Sequence, residues 1–171
     1  MTNIVASPRH ASNDLPPRLE PGERLFLWGF RAMAQHHRCG RPSIAAMRHL
    51  YGQFHVEDAV ASLDAMVHAF ACTAHTAIAI HSPVCPCVSE CETVLLRAMA
   101  AAQSTDLLTA CREFERWLPE LAADWVLNPA CGIGRMFQAE GMVFPLREVR
   151  TKRLNNATET RKWPIISNTL H

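Results

Sequence analysis

The stretch from Val56 to Ala74 constrains the fold more than any other. Val56, Val60, Leu63, Val67, Phe70 and Ala74 recur at intervals of four, three, four, three and four. Only an α-helix gathers such positions on one face, and that apolar face must be buried against other elements. Glu57 and Asp58 stand in the first turn, where the positive end of the helix dipole favours acidic side chains.

The same rhythm recurs along the chain. Residues 23–39 place Phe26, Phe30, Met33 and His37 on one face, widened by Leu25, Trp28 and Ala32. Gly40 suits the position after the helix, and Pro42 opens a second helix to Phe54 carrying Ile44, Met47, Leu50 and Tyr51. A fourth helix is expected over Glu90–Gln103. Ser104-Thr105-Asp106 then caps a fifth, in which Leu107, Cys111, Phe114, Leu118, Leu121 and Trp125 keep the spacing and Cys111 reads as a small core residue. Pro119 should kink or divide that helix near Leu118. Asn128-Pro129 has a cap-then-first-turn signature and predicts a short sixth helix ending near Gly141. Thr76–His81 alternates with period two, so it reads either as a short strand or as the last turns of the third helix. Met142-Val-Phe144-Pro145 is expected to cross the core once.

The fold class expected is therefore mainly α: a bundle of five or six helices, with room for one short strand or hairpin near 76–81 or 142–150. Residues 1–22, with four prolines and little apolar content, read as an extended or disordered arm. The helical domain occupies 23–146, and 147–171 form a tail in which Arg147, Arg150, Lys152, Arg153, Arg161 and Lys162 outnumber the acidic residues.

Chemistry concentrates between two helices, in His81-Ser-Pro-Val-Cys85-Pro-Cys87-Val-Ser-Glu-Cys91-Glu92. Ser89 and Glu92 have the spacing of a capping box, which makes Ser89 the N-cap and puts Cys91 in the first helical turn. There the unpaired N–H groups and the dipole favour a thiolate. Three readings follow. Cys85, Cys87 and Cys91 can ligate zinc or an iron–sulfur cluster, with Cys39, Cys72 or His75 completing the set. His81 and Cys131 are further candidates for the last ligand. The spacing matches neither the paired C-x2-C of zinc ribbons nor ferredoxin runs. Alternatively, two cysteines one residue apart can form a labile disulfide. The plain alternative is small cysteines lining a packed loop.

Asp64, His68, Cys72 and His75 stay within about 80° of one another on the third helix, either as ligands or as its polar edge. His36 and His37, near Cys39, are basic residues at the negative end of the first helix and a more distant contributor to the thiol site.

Several function classes are excluded or weakened. There is no phosphate loop, no H-E-x-x-H and no nucleophile elbow, and Cys131-Gly-Ile-Gly134 lacks the third glycine and preceding strand of a dinucleotide fingerprint. His81 and Cys85 lack an orienting third group for protease chemistry. A net charge of +1 gives no global field for nucleic acid, so a nucleic-acid partner is not expected. No apolar run approaches the ~18 residues of a membrane helix. With no secretion-signal layout at the N-terminus and seven cysteines, an odd number, a cytoplasmic location is expected, with thiols buried, metal-bound or redox-active.

The run from Cys85 to Ala102, a cysteine-rich loop followed by Ser-x-x-Glu and Leu95-Leu96, resembles small uncharacterised bacterial helical proteins. The resemblance covers the middle of the chain, implies a bacterial cytosolic origin and brings no activity with it. The functional expectation is a small metal-binding accessory or regulatory protein, with the balance of the sequence leaning away from an enzyme. Its alternatives are a metal-free adaptor that holds a larger protein through its arms, and a thiol redox protein.

Overall fold

In the computed structural model, residues 4–6, 18–40 and 44–146 are described. They form β1 (Ile4–Ala6), α1 (Pro21–Cys39), α2 (Ile44–Gly52), α3 (Ala59–Thr73), β2 (Ile78–Ile80), α4 (Glu90–Gln103), α5 (Leu107–Phe114) and α6 (Glu120–Ala139). The mainly helical expectation holds, with one small parallel sheet added. No helix among the described residues is long and apolar enough to cross a membrane.

The expected rhythm on α3 makes it the central element. Val60, Leu63, Val67 and Phe70 are buried, and the helix packs against α1 on one side and α6 on the other. It starts at Ala59 instead of Val56, because residues 53–55 turn before it and Val56 packs into the core from that turn. An aromatic chain threads the interior: Phe26 meets Phe30, Phe30 meets Phe70, and Phe70 meets both Phe114 and Trp117. Tilted and edge-on arrangements of this kind suit the ring quadrupoles.

The caps behave as the sequence demands. Ser89 begins α4 with both halves of its capping box formed, and Asp106 begins α5 by accepting from the Thr109 N–H at 3.1 Å. The Thr109 side chain and then its N–H hold the Asp106 carboxyl below the usual carboxylate range. Gly40 ends α1 at φ 62°, the left-handed conformation that glycine adopts without a Cβ clash.

Three expectations need correction. The stripe drawn through Leu107, Leu121 and Trp125 fails. Pro119 divides the segment, α6 starts with a new phase, and Ala122, Ala123 and Val126 face the core while Leu121 (72%) and Trp125 (69%) are exposed. Cys111, on the same stripe, is only partly buried. Pro129 does not start a helix but lies inside α6. A mid-helix proline removes one backbone hydrogen bond. Yet Val126, Ala130, Ile133 and Phe137 keep helical spacing straight across it and are all buried, and that packing outweighs the local break. Finally, within the extended or disordered arm expected over 1–22, Ile4–Ala6 form a strand. It pairs in parallel with β2, Ile4 opposite Ile78 and Ala6 opposite Ile80, and Ile4 is buried. This settles 78–80 as strand.

The segment after α6 is held by one side chain. Gln103 Nε2 donates to the carbonyls of Gly134 and Met142, both at 3.0 Å, and Gln103 Oε1 accepts from the Phe144 N–H at 2.7 Å. Phe144 is thereby seated in the core against Phe26 and Phe137, the crossing that the sequence suggested, although no hairpin forms there among the described residues. Residues 147–171, the expected basic tail, lie outside the described residues.

Candidate functional site: a clamped thiol loop

The cysteine loop leaves β2 at His81 and enters α4 at Glu90. Its main chain is gripped by two residues from distant parts of the sequence. Arg31, on α1, forms a bidentate pair with Glu92 on α4: Nε to Oε1 at 2.7 Å and Nη2 to Oε2 at 2.9 Å. The same guanidinium donates from Nη1 to the Cys85 carbonyl at 2.7 Å and from Nη2 to the Cys87 carbonyl at 2.6 Å. Glu92 in turn accepts from the His81 N–H at 3.0 Å and from the Ser89 N–H at 2.8 Å. Ser89 Oγ donates to the Ala79 carbonyl at 2.7 Å.

Glu92 is fully buried and Arg31 is only 6% exposed. Two charges so far from water carry a large desolvation penalty, which their attraction offsets only when every remaining donor and acceptor is used. Here each carboxylate oxygen accepts twice and each terminal guanidinium nitrogen reaches a carbonyl. The result fixes the loop at His81, Cys85, Cys87 and Ser89.

With the carbonyls turned toward Arg31, the side chains of the loop are left to other contacts. Cys85 is half-buried and Cys87 is exposed, and the two thiols are near enough to influence each other's ionisation. The Cys85 thiol is the main reason the Cys87 thiol is held above its ordinary range, with the nearby Arg31 charge acting in the opposite sense.

The other expected site residues are scattered. Cys91 sits in the first turn of α4, as expected, but is half-buried and packed against the core. Cys39 is exposed at the end of α1, on a separate cleft of about 220 Å³ that it shares with His81 and Pro83. Cys72 is exposed on α3 with its sulfur 3.6 Å from His68 Nε2. His75 lies beyond α3, exposed, its backbone N–H donating to the Trp117 carbonyl at 2.8 Å. Asp64 pairs with His37 of α1 at 2.7 Å instead of with its neighbours on α3. Cys111 faces Asp124 and Glu115, and burial followed by those two carboxylates pushes its thiol up to about 11. The Cys131 thiol points at the Ala102 carbonyl, 3.8 Å away. All seven cysteines are free thiols. Among the described residues no three His, Cys, Asp or Glu side chains gather as metal ligands. Of the six proposed ligands, only Cys85 and Cys87 are brought together.

Sequence reading found the loop and the cap but missed Arg31. The signal was present: an arginine between Phe30 and Ala32, one turn from Leu27 and Ala34, on a helix with little room for charge. Glu92 was seen only as half of a local cap, whereas it also receives the guanidinium of Arg31, sixty-one positions away in the chain. Compared with protein-family models, curated proteins and solved structures, the chain matches none of them.

The thiol pair makes a direct prediction. Replacing Cys85 with alanine removes the neighbouring thiol that raises the Cys87 pKa, so the thiolate fraction of Cys87 at neutral pH should rise. Iodoacetamide should then modify Cys87 faster in Cys85→Ala than in the wild type at pH 7, with the two rates converging at high pH, where both are ionised. Equal rates across the pH range would show that the two sulfurs do not share a proton.

Proposed function

We propose that the protein acts through Cys85 and Cys87 as a dithiol centre, alternating between two free thiols and one intramolecular disulfide, in an accessory or regulatory role. The observation that carries this reading is that one guanidinium, Arg31, holds the Cys85 and Cys87 carbonyls at 2.7 and 2.6 Å and so keeps two free thiols side by side on a fixed loop. Exposed, tightly spanned disulfides are the labile and regulatory ones, and in a reducing compartment such bonds are transient.

Metal binding is a second reading of the same contact. Two thiolates supply half of the four ligands of a zinc site, and the remainder would come from residues outside those described or from a partner protein. A single preparation tests both readings. Protein purified without oxygen is assayed for zinc and iron, then oxidised mildly and digested. The dithiol reading expects a linked Cys85–Cys87 peptide with a loss of two hydrogens, absent in either serine variant. Independent oxidation of the two sulfurs defeats it. Stoichiometric metal in the wild type that vanishes in Cys85→Ser and Cys87→Ser would put the second reading in its place.

A further inference from the structure

Beside the thiol loop, α1 and the residues leading into it enclose a cleft of about 570 Å³. Its lining includes Arg18, Arg24, Trp28, Pro83, Cys85 and Pro86, with Arg31 beneath them. The volume lies in the range of small-ligand sites. Arg18 and Arg24 border it together with Arg31, whose charge is matched by Glu92, and no acidic side chain among the described residues lines it. In a chain whose net charge is only +1, that is a local concentration of positive charge. Arg31 is committed to Glu92 and the loop carbonyls. The Arg24 side chain, in contrast, is exposed and makes no hydrogen bond or ion pair among the described residues. The Trp28 indole is half-buried and packed against the core, a fixed apolar wall.

A ligand suited to this lining has negative charge for Arg24, an aliphatic body to lie on Trp28 and Pro86, and a group that Cys85 can engage. From these three features we infer that the cleft binds a small disulfide bearing free carboxylates, of the glutathione class, and presents its sulfurs to the Cys85–Cys87 pair. The inference rests on the dithiol reading above and names its substrate class. The chemistry is two thiol–disulfide exchanges. One thiolate of the pair attacks a sulfur of the bound disulfide, that S–S bond breaks, and the departing thiolate takes up a proton. The second cysteine, losing its proton to solvent, attacks the mixed disulfide, closing the Cys85–Cys87 bond and releasing the other half as thiol. Two electrons pass from the protein dithiol to the ligand, and two small thiols leave.

The test uses the full chain in its reduced form and two oxidants, oxidised glutathione and the uncharged hydroxyethyl disulfide. Rates of Cys85–Cys87 closure are followed by mass spectrometry at low and high salt. Arg24→Glu and Arg24→Gln alter an exposed side chain outside the clamp, and circular dichroism checks that both stay folded. The expected result is a fall of about tenfold or more in the glutathione rate with Arg24→Glu and a smaller fall with Arg24→Gln. Added salt should shrink the wild-type rate, and the hydroxyethyl disulfide rate should stay unchanged throughout. If Arg24→Glu leaves the ratio of the two rates as it was, the cleft is not the binding site, although the dithiol reading stands. If neither disulfide closes the pair in the wild type, the dithiol reading itself falls.

Discussion

Arg31→Met is expected to destabilise the protein by about 3–5 kcal/mol, because it leaves the fully buried Glu92 carboxylate without its counter-charge. Methionine keeps much of the volume, so a cavity accounts for little of the loss. The loss falls first on the loop, since the Cys85 and Cys87 carbonyls lose their donors in the same step. Urea denaturation measures the first effect, and limited proteolysis between residues 82 and 88 measures the second. A loss below about 1 kcal/mol, typical of an exposed ion pair, would mean that the pair is not a clamp. The double variant Arg31→Met/Glu92→Met separates charge from hydrogen bonding. Replacing both members of a buried pair by apolar groups is often neutral. Here it should not be, because the N–H groups of His81 and Ser89 also lose their acceptor. Full recovery in the double variant would count against the loop-fixing role of Glu92.

Gly29→Ala is the second large effect. A methyl group at this position would lie 1.9 Å from the Tyr51 hydroxyl and 2.8 Å from both Leu63 Cδ2 and Tyr51 Cζ. All three atoms are in the closely packed region where α1 meets α2 and α3, and Tyr51 is buried, its hydroxyl donating to the Leu25 carbonyl at 3.1 Å. Burial also pushes the Tyr51 pKa far up, so the phenol stays neutral and does not leave by ionising. Overpacking of a filled core costs about 1–3 kcal/mol and occasionally more, and this contact belongs at the upper end. Adding Tyr51→Phe removes the shortest clash but keeps the two at 2.8 Å and abandons a hydrogen bond. Partial recovery of the melting temperature is therefore expected, with the pair of substitutions non-additive. Simple additivity would show that α1 and α2 can separate freely at this point.

How much of this was legible in the sequence depends on the range of the interaction. The α3 stripe, the Ser89 and Asp106 caps, the Gly40 stop and the break at Pro119 are local matters of spacing and side-chain type, and each stands where the sequence put it. Asn128-Pro129 misled because a local signature was given more weight than the run Val126, Ala130, Ile133, Phe137, which spans it without a change of phase. Trp125 misled for the opposite reason: its phase was carried through a proline that resets it. Ile4–Ala6 carries too few residues to announce a strand, and its partner is more than seventy residues away. The thiol site was half legible. Clustering in sequence put Cys85, Cys87 and Cys91 near one another, but a loop entering a helix sends successive side chains in different directions. Only the first two ended in contact. Cys39, Cys72 and His75 needed tertiary placement that spacing cannot supply, and so did Arg31.

The grip on the loop is made through main-chain oxygens and nitrogens, at His81, Cys85, Cys87 and Ser89, and not through the side chains between them. Peptide groups are the same in every residue, so the mould is indifferent to what the loop displays. Val84, which is 86% exposed, and the exposed Ser82 are free to drift in kind while the pose of the sulfurs persists. Diverged versions of this chain should therefore retain an arginine at position 31 and a glutamate at position 92 and vary in what surrounds the two thiols, which would let one scaffold be retuned toward different reagents without being rebuilt.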